Sequence, residues 1–183
     1  MKRTFVAIPI SEEVMELIKS IRKEFNRLEK FVRFVRPESV HITLKFIGDT
    51  NEYDFEGIVS NIKKSVASIV PFKVTINGTG VFPDTRRPRI FWLGIIEGLE
   101  NLRNISLSLN RELAKMGFEE EKREFRGHVT IGRVKRPLLN EEIKSFINFK
   151  YEPISFFAKK VIFYESVLKP DGARYIPISV IDI

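Results

Sequence analysis

The amino-acid sequence predicts an α+β fold with an internal duplication. Three observations lead there. Segments with apolar residues at helical spacing interleave with shorter alternating or continuous apolar stretches of strand character. Each half of the chain reads as a strand, a helix, then a strand opening with histidine. No composition break long enough for a linker divides the 183 residues, so residues 1–183 are expected to form one domain built on that duplication.

The elements follow in order. The opening stretch Arg3 to Ile10 is apolar but short, and Pro9 and Ser11-Glu12-Glu13 end it with no small-residue cleavage site. It is expected to be a buried first strand rather than a secretion signal. Ser11 caps a helix with acidic residues in its first turn, and Val14, Leu17, Ile18, Ile21, Phe25 and Leu28 form its apolar stripe. Ser39 to Ile47 alternates as a strand and is expected to end at the turn signal Gly48-Asp49. Phe55, Ile58, Val59, Ile62, Val66 and Ile69 mark a second helix, which Pro71 stops. Strands are expected over Phe72 to Ile76 and Ile90 to Ile96, separated by a loop of breakers and arginines, Phe82 to Arg89. A third helix runs from Leu99 to Met116, with Gly117 as its C-cap. His128 to Val134 is a strand, Asn140 caps a short fourth helix, and Ala158 to Val167 with Arg174 to Ile181 forms a hairpin turning at Lys169-Pro170-Asp171-Gly172.

Composition narrows the function. Hydrophobic residues are 43% and charged residues 30% of the chain, which is globular rather than disordered. No apolar run approaches the roughly 20 residues of a membrane-spanning helix. The absence of cysteine removes disulfides, thiolate metal sites and cysteine nucleophiles together. A net charge of +7 points to a polyanionic partner such as RNA, or to a Lys/Glu-rich heat-adapted surface. The protein is expected to be a cytoplasmic monomer with no membrane association.

Only two histidines occur, and both sit in one pattern: His41-Ile42-Thr43-Leu44 and His128-Val129-Thr130-Ile131. In a strand, residues i and i+2 share a face, so each histidine projects with its threonine while the apolar pair turns into a core. Seven residues are threonine, so this coincidence at both histidines has a chance of roughly one in a thousand. Two such strands face to face would offer one imidazole to accept a proton and another to donate one, with hydroxyls for phosphate oxygens. The residues alone leave alternatives open. The tetrads could be structural in a basic RNA-binding module, or the histidines could bind zinc with a third ligand from elsewhere.

At these residues the sequence resembles the two-histidine (2H) phosphoesterase superfamily, most of all its RNA 2′,3′-cyclic phosphodiesterase branch, also called 2′-5′ RNA ligase or LigT-like. The likeness extends through RTFVAIPI, HITLKFIG, RPRIFWLG, HVTIGRV and ESVLKPDGARY. It implies a bilobal fold of two antiparallel sheets flanking a central cleft, with helices outside. It implies His41 and His128 as the catalytic pair, Thr43, Thr130 and Arg133 as phosphate ligands, Phe46 as a base-stacking residue, and no metal or other cofactor. The implied partner is RNA with a 2′,3′-cyclic phosphate end, tRNA halves among the candidates; a cyclic phosphate on a small nucleotide or ADP-ribose derivative is the alternative substrate. Reverse 2′-5′ ligation is implied as a possible side of the same chemistry.

Two further expectations can be tested. Phe46 and Arg133 stand five positions after their histidines, so regular alternation would turn them away from the site. Gly132 offers a bulge beside Arg133, while nothing local does so for Phe46. The resemblance, together with Arg126, Arg133 and Arg136 crowding His128 in sequence, leads us to expect a lowered pKa that makes His128 the base, with His41 as the acid. Arg123 and Lys135 complete the basic cluster around His128. That cluster and the Arg86, Arg87, Arg89 loop are candidates for RNA-backbone contact.

Overall fold

In the computed structural model, which describes every residue except Asp171, the described residues form nine strands and four α-helices. In chain order these are β1 (Lys2–Pro9), α1 (Glu12–Glu24), β2 (Val32–Phe34), β3 (His41–Thr50), α2 (Phe55–Val66), β4 (Phe72–Phe82), β5 (Ile90–Glu97), α3 (Leu99–Ala114), β6 (His128–Val134), α4 (Asn140–Ile147), β7 (Ile154–Ala158), β8 (Lys160–Lys169) and β9 (Gly172–Asp182).

Two antiparallel sheets result, one in the order β3-β1-β8-β9 and the other β2-β6-β5-β4-β7. The α+β class and the paired sheets match the expectation. Strand by strand, β3-β1-β8-β9 corresponds to β6-β5-β4-β7, with β2 added outside β6. Each sheet draws strands from both halves of the chain, so the duplication is interleaved rather than sequential. β1, inside its sheet, is buried on both faces: Phe5, Val6, Ala7 and Ile8 are all enclosed, which explains why that segment reads as a continuous apolar run.

The helices cross over. α3 leaves β5 of one sheet and packs on β3 of the other, with α2 beside it. The chain leaving α1 carries Phe25 against Phe146 of α4, which in turn meets Phe91 of β5, behind the second sheet. Ser11 caps α1 through Val14 N–H as expected.

Several boundaries differ. β3 continues through Gly48-Asp49 to Thr50, because Gly48 at φ 94° absorbs a kink within the strand. β4 extends to Phe82, well past Ile76. Asn140 is the first residue of α4, not its cap; Glu142 instead closes the helix start by accepting from the Leu139 N–H at 3.0 Å. Of the expected hairpin turn, Asp171 lies outside the described residues.

Candidate active site

His41 opens β3 and His128 opens β6, the two strands through which the sheets approach each other. In both tetrads the alternation holds: Ile42, Leu44, Val129 and Ile131 are buried, while His41, Thr43, His128 and Thr130 are half-buried on the opposite face. Each imidazole is held in the same way. His41 Nδ1 meets the Ser39 carbonyl at 2.9 Å, and His128 Nδ1 meets the Arg126 carbonyl at 2.6 Å. A carbonyl only accepts, so Nδ1 carries the hydrogen in both rings. The neutral ring therefore keeps its lone pair on Nε2, free for proton transfer.

Beyond each tetrad the strand departs from regular pairing in the same place. On β3, Thr43 pairs with Ala7 and Lys45 with Val6, leaving Leu44 unpaired. On β6, Thr130 pairs with Trp92 and Gly132 with Phe91, leaving Ile131 unpaired. Each is a bulge of one residue, and each reverses the alternation. Leu44 and Lys45 are consecutively buried, as are Ile131 and Gly132. Phe46 and Arg133 consequently return to the histidine face. Phe46 is 63% exposed, so it is not a core residue. In β6 the bulge needs glycine: a Cβ on Gly132 would stand 2.6 Å from Val32 Cγ1.

Arg133 acts on both rings. Burial is the chief cause that lowers the His41 pKa from 6.5 to about 4, and the charges of Arg133 and His128 add to it against the Ser39 hydrogen bond. His128 is lowered by burial first and also by Arg133, against the Arg126 carbonyl. The expectation that cations single out His128 is therefore corrected. Arg126 touches His128 through its backbone, not its guanidinium, and Arg133 depresses both imidazoles. Arg123 is paired to Glu121 at 2.9 Å, and Lys135 donates to the Glu29 carbonyl at 2.9 Å. Among the described residues no group of three or more His, Cys, Asp or Glu is placed to hold one ion.

An RNA 2′,3′-cyclic phosphodiesterase of Methanothermobacter thermautotrophicus is 34% identical to this chain over 175 residues, covering 94% of both. One from Aquifex aeolicus is 33% identical over 180 residues, covering 94% of this chain and 93% of its own. A family model described as LigT like Phosphoesterase matches residues 8–92, which include the first tetrad. The chain belongs to the LigT-like phosphoesterase family. The folds agree as well. TT0787 of Thermus thermophilus superposes with a TM-score of 0.82 at 20% identity, over 98% of this chain and 97% of its own. LigT of E. coli, solved in complex with 3′-AMP, superposes at 0.79 with 22% identity, over 100% and 98%.

In this LigT-like phosphoesterase the histidines also have aromatic walls that the sequence reading missed. Phe5, Tyr164 and Tyr175 surround His41, with ring centroids at 4.8, 6.2 and 5.0 Å. Phe82 meets His128 edge-on at 5.0 Å, and Trp92 lies behind Phe82 at 5.1 Å. These residues are scattered over several strands, so no local spacing links them to either histidine. Phe5, Trp92 and Tyr175 carried a signal only through their places in the RTFVAIPI, RPRIFWLG and ESVLKPDGARY blocks.

Proposed function

We propose that this chain hydrolyses 2′,3′-cyclic phosphate ends of RNA to 2′-phosphates by acid–base catalysis between His41 and His128, without a metal. The observation that carries it is the pair of imidazoles held identically through Nδ1, each with Nε2 free and both under the field of Arg133. RNA as substrate is supported by the relatives' activity and by the net charge of +7. RNA halves with such ends, tRNA halves included, suit the site chemically.

In this scheme His128 Nε2 takes a proton from water as the water oxygen bonds to phosphorus. The bond from phosphorus to O3′ breaks, and His41 Nε2–H protonates the departing oxygen. His41 is the more deeply buried ring, suited to the leaving oxygen, while His128 is nearer the solvent that supplies the water. Bound phosphate offsets the low pKa of His41, because an anion beside a desolvated ring favours the imidazolium. Thr43, Thr130 and Arg133 donate to the non-bridging oxygens as they gain charge. Each lobe contributes one histidine and one threonine, so the two act as one catalytic unit. A ribose 5′-OH in place of water would give a 2′-5′ linkage.

The test is an oligonucleotide ending in a 2′,3′-cyclic phosphate, incubated with the protein in EDTA across pH 5–8. A 2′-phosphate product is expected. Unchanged substrate would overturn the proposal, and turnover that EDTA abolishes would overturn the metal-free scheme.

A further inference from the structure

Lys45 is 5% exposed, an unusual place for an ammonium group. Four residues after His41, it would share the face of His41 and Thr43 in a regular strand, and Phe46 would face the helices. The bulge at Leu44 exchanges them. It therefore decides whether a cation or an aromatic ring lies beyond Thr43.

The bulge is anchored from α3. The carbonyl of the unpaired Leu44 accepts from Ser106 Oγ at 2.7 Å. Lys45 Nζ donates to Asn110 Oδ1 at 2.7 Å and to the Glu119 carbonyl at 2.6 Å. Asn110 in turn accepts from Glu121 N–H at 2.8 Å and donates to the Glu121 carbonyl at 3.0 Å. One side chain thus ties the His41 strand to α3 and to the segment that leads into His128. Burial works against the charge of Lys45, whereas Glu121, Glu119 and Glu120 favour it. A short, uncharged polar residue at 45 would have no such partners in reach and no cost in the cleft.

We propose that Lys45 is a positioning residue for base recognition: by holding the β3 bulge through Asn110 and Glu119, it presents Phe46 to the nucleobase beside the reacting phosphate. This rests on the reading of the cleft as a nucleotide site in which Phe46 stacks.

The test compares adenosine 2′,3′-cyclic phosphate with a base-free substrate, 1-O-methylribofuranose 2,3-cyclic phosphate. Lys45→Thr cannot span to Asn110. It should lower the ratio of kcat/KM between the two substrates by about 5–20-fold, carried by KM for the nucleotide, because stacking is a binding term. In a Phe46→Ala background Lys45→Thr should lower that ratio no further. Ser106→Ala, a milder change should Lys45→Thr fold poorly, should produce a smaller loss of the same kind, about 2–5-fold. Equal losses on both substrates, or losses that add to those of Phe46→Ala, would overturn the proposal. If Phe46→Ala lowers the ratio and Lys45→Thr and Ser106→Ala do not, stacking stands and Lys45 has no part in it. If Phe46→Ala itself changes nothing, the stacking reading fails and takes the proposal with it.

Discussion

Replacing His41 with asparagine separates the electrostatic burden of the site from its chemistry. The asparagine amide can still donate to the Ser39 carbonyl, as His41 Nδ1 does, but it does not titrate. In the folded protein the imidazole has a pKa of about 4 instead of 6.5, chiefly through burial. The folded state therefore binds fewer protons than the unfolded chain between those values. His41 contributes full stability above pH 6.5, and the contribution is lost as the pH falls toward 4. Between pH 7 and pH 4.5 the linkage amounts to about 2.4 kcal/mol, from about 1.36 kcal/mol per pKa unit. Urea unfolding at both pH values measures it. Carboxylates such as Glu121, held low by its hydrogen bonds to Arg123, weaken both proteins in acid and cancel in the comparison. With a slope of about 2 kcal/mol per molar urea, the wild-type midpoint should fall about 1 M further than that of His41→Asn. Equal falls would refute the reasoning, because the ring would then be no harder to charge in the folded state than in the unfolded one.

The division of labour between the histidines is read with a substrate whose leaving group needs no protonation: His41→Ala should recover most of its loss of about 10²–10⁴-fold there, and His128→Ala should not. Recovery by the His128 variant would reverse the roles. Gly132→Ala puts a Cβ 2.6 Å from the enclosed Val32 Cγ1 and should cost about 1–3 kcal/mol, lower the melting temperature by several degrees and weaken inhibition by inorganic phosphate as Arg133 loses its aim. Val32→Ala should restore part of both in thermal melts and inhibition assays.

How much of this was legible in the sequence depended on whether the signal was local. The tetrads are local, since i and i+2 share a face in any strand, and both were placed correctly on their strands. The β6 bulge was legible because Gly132 is an unusual residue in an apolar strand. Its counterpart in β3 was not, because Lys45 reads as a solvent-facing residue until Asn110 and Glu119, distant in sequence, are brought to it. β2 is too short, at three residues, to show any period. In β7 the 59% exposed Phe157 fills a position where alternation calls for a polar residue. That the aromatic rings gather around the histidines was illegible for the same reason as Lys45: tertiary neighbours leave no trace in spacing.

Local charge is a different case. Arg126 stands two residues from His128 in sequence, but only its carbonyl reaches the ring. What distinguishes the two imidazoles is then not local charge but the way each lobe continues past its bulge. One lobe removes a side chain at Gly132 and returns the cation Arg133 to the site, where it acts on both rings. The other sequesters a cation at Lys45 and returns the aromatic Phe46. Two related histidines cannot by themselves tell an attacking water from a departing ribose oxygen. On the reading proposed here, the asymmetry that decides it lies at positions 46 and 133: Arg133 fixes the phosphate between the rings, and Phe46 fixes the side on which the base lies. Orientation of the nucleotide, more than the resting pKa of either ring, then determines which histidine meets the leaving oxygen.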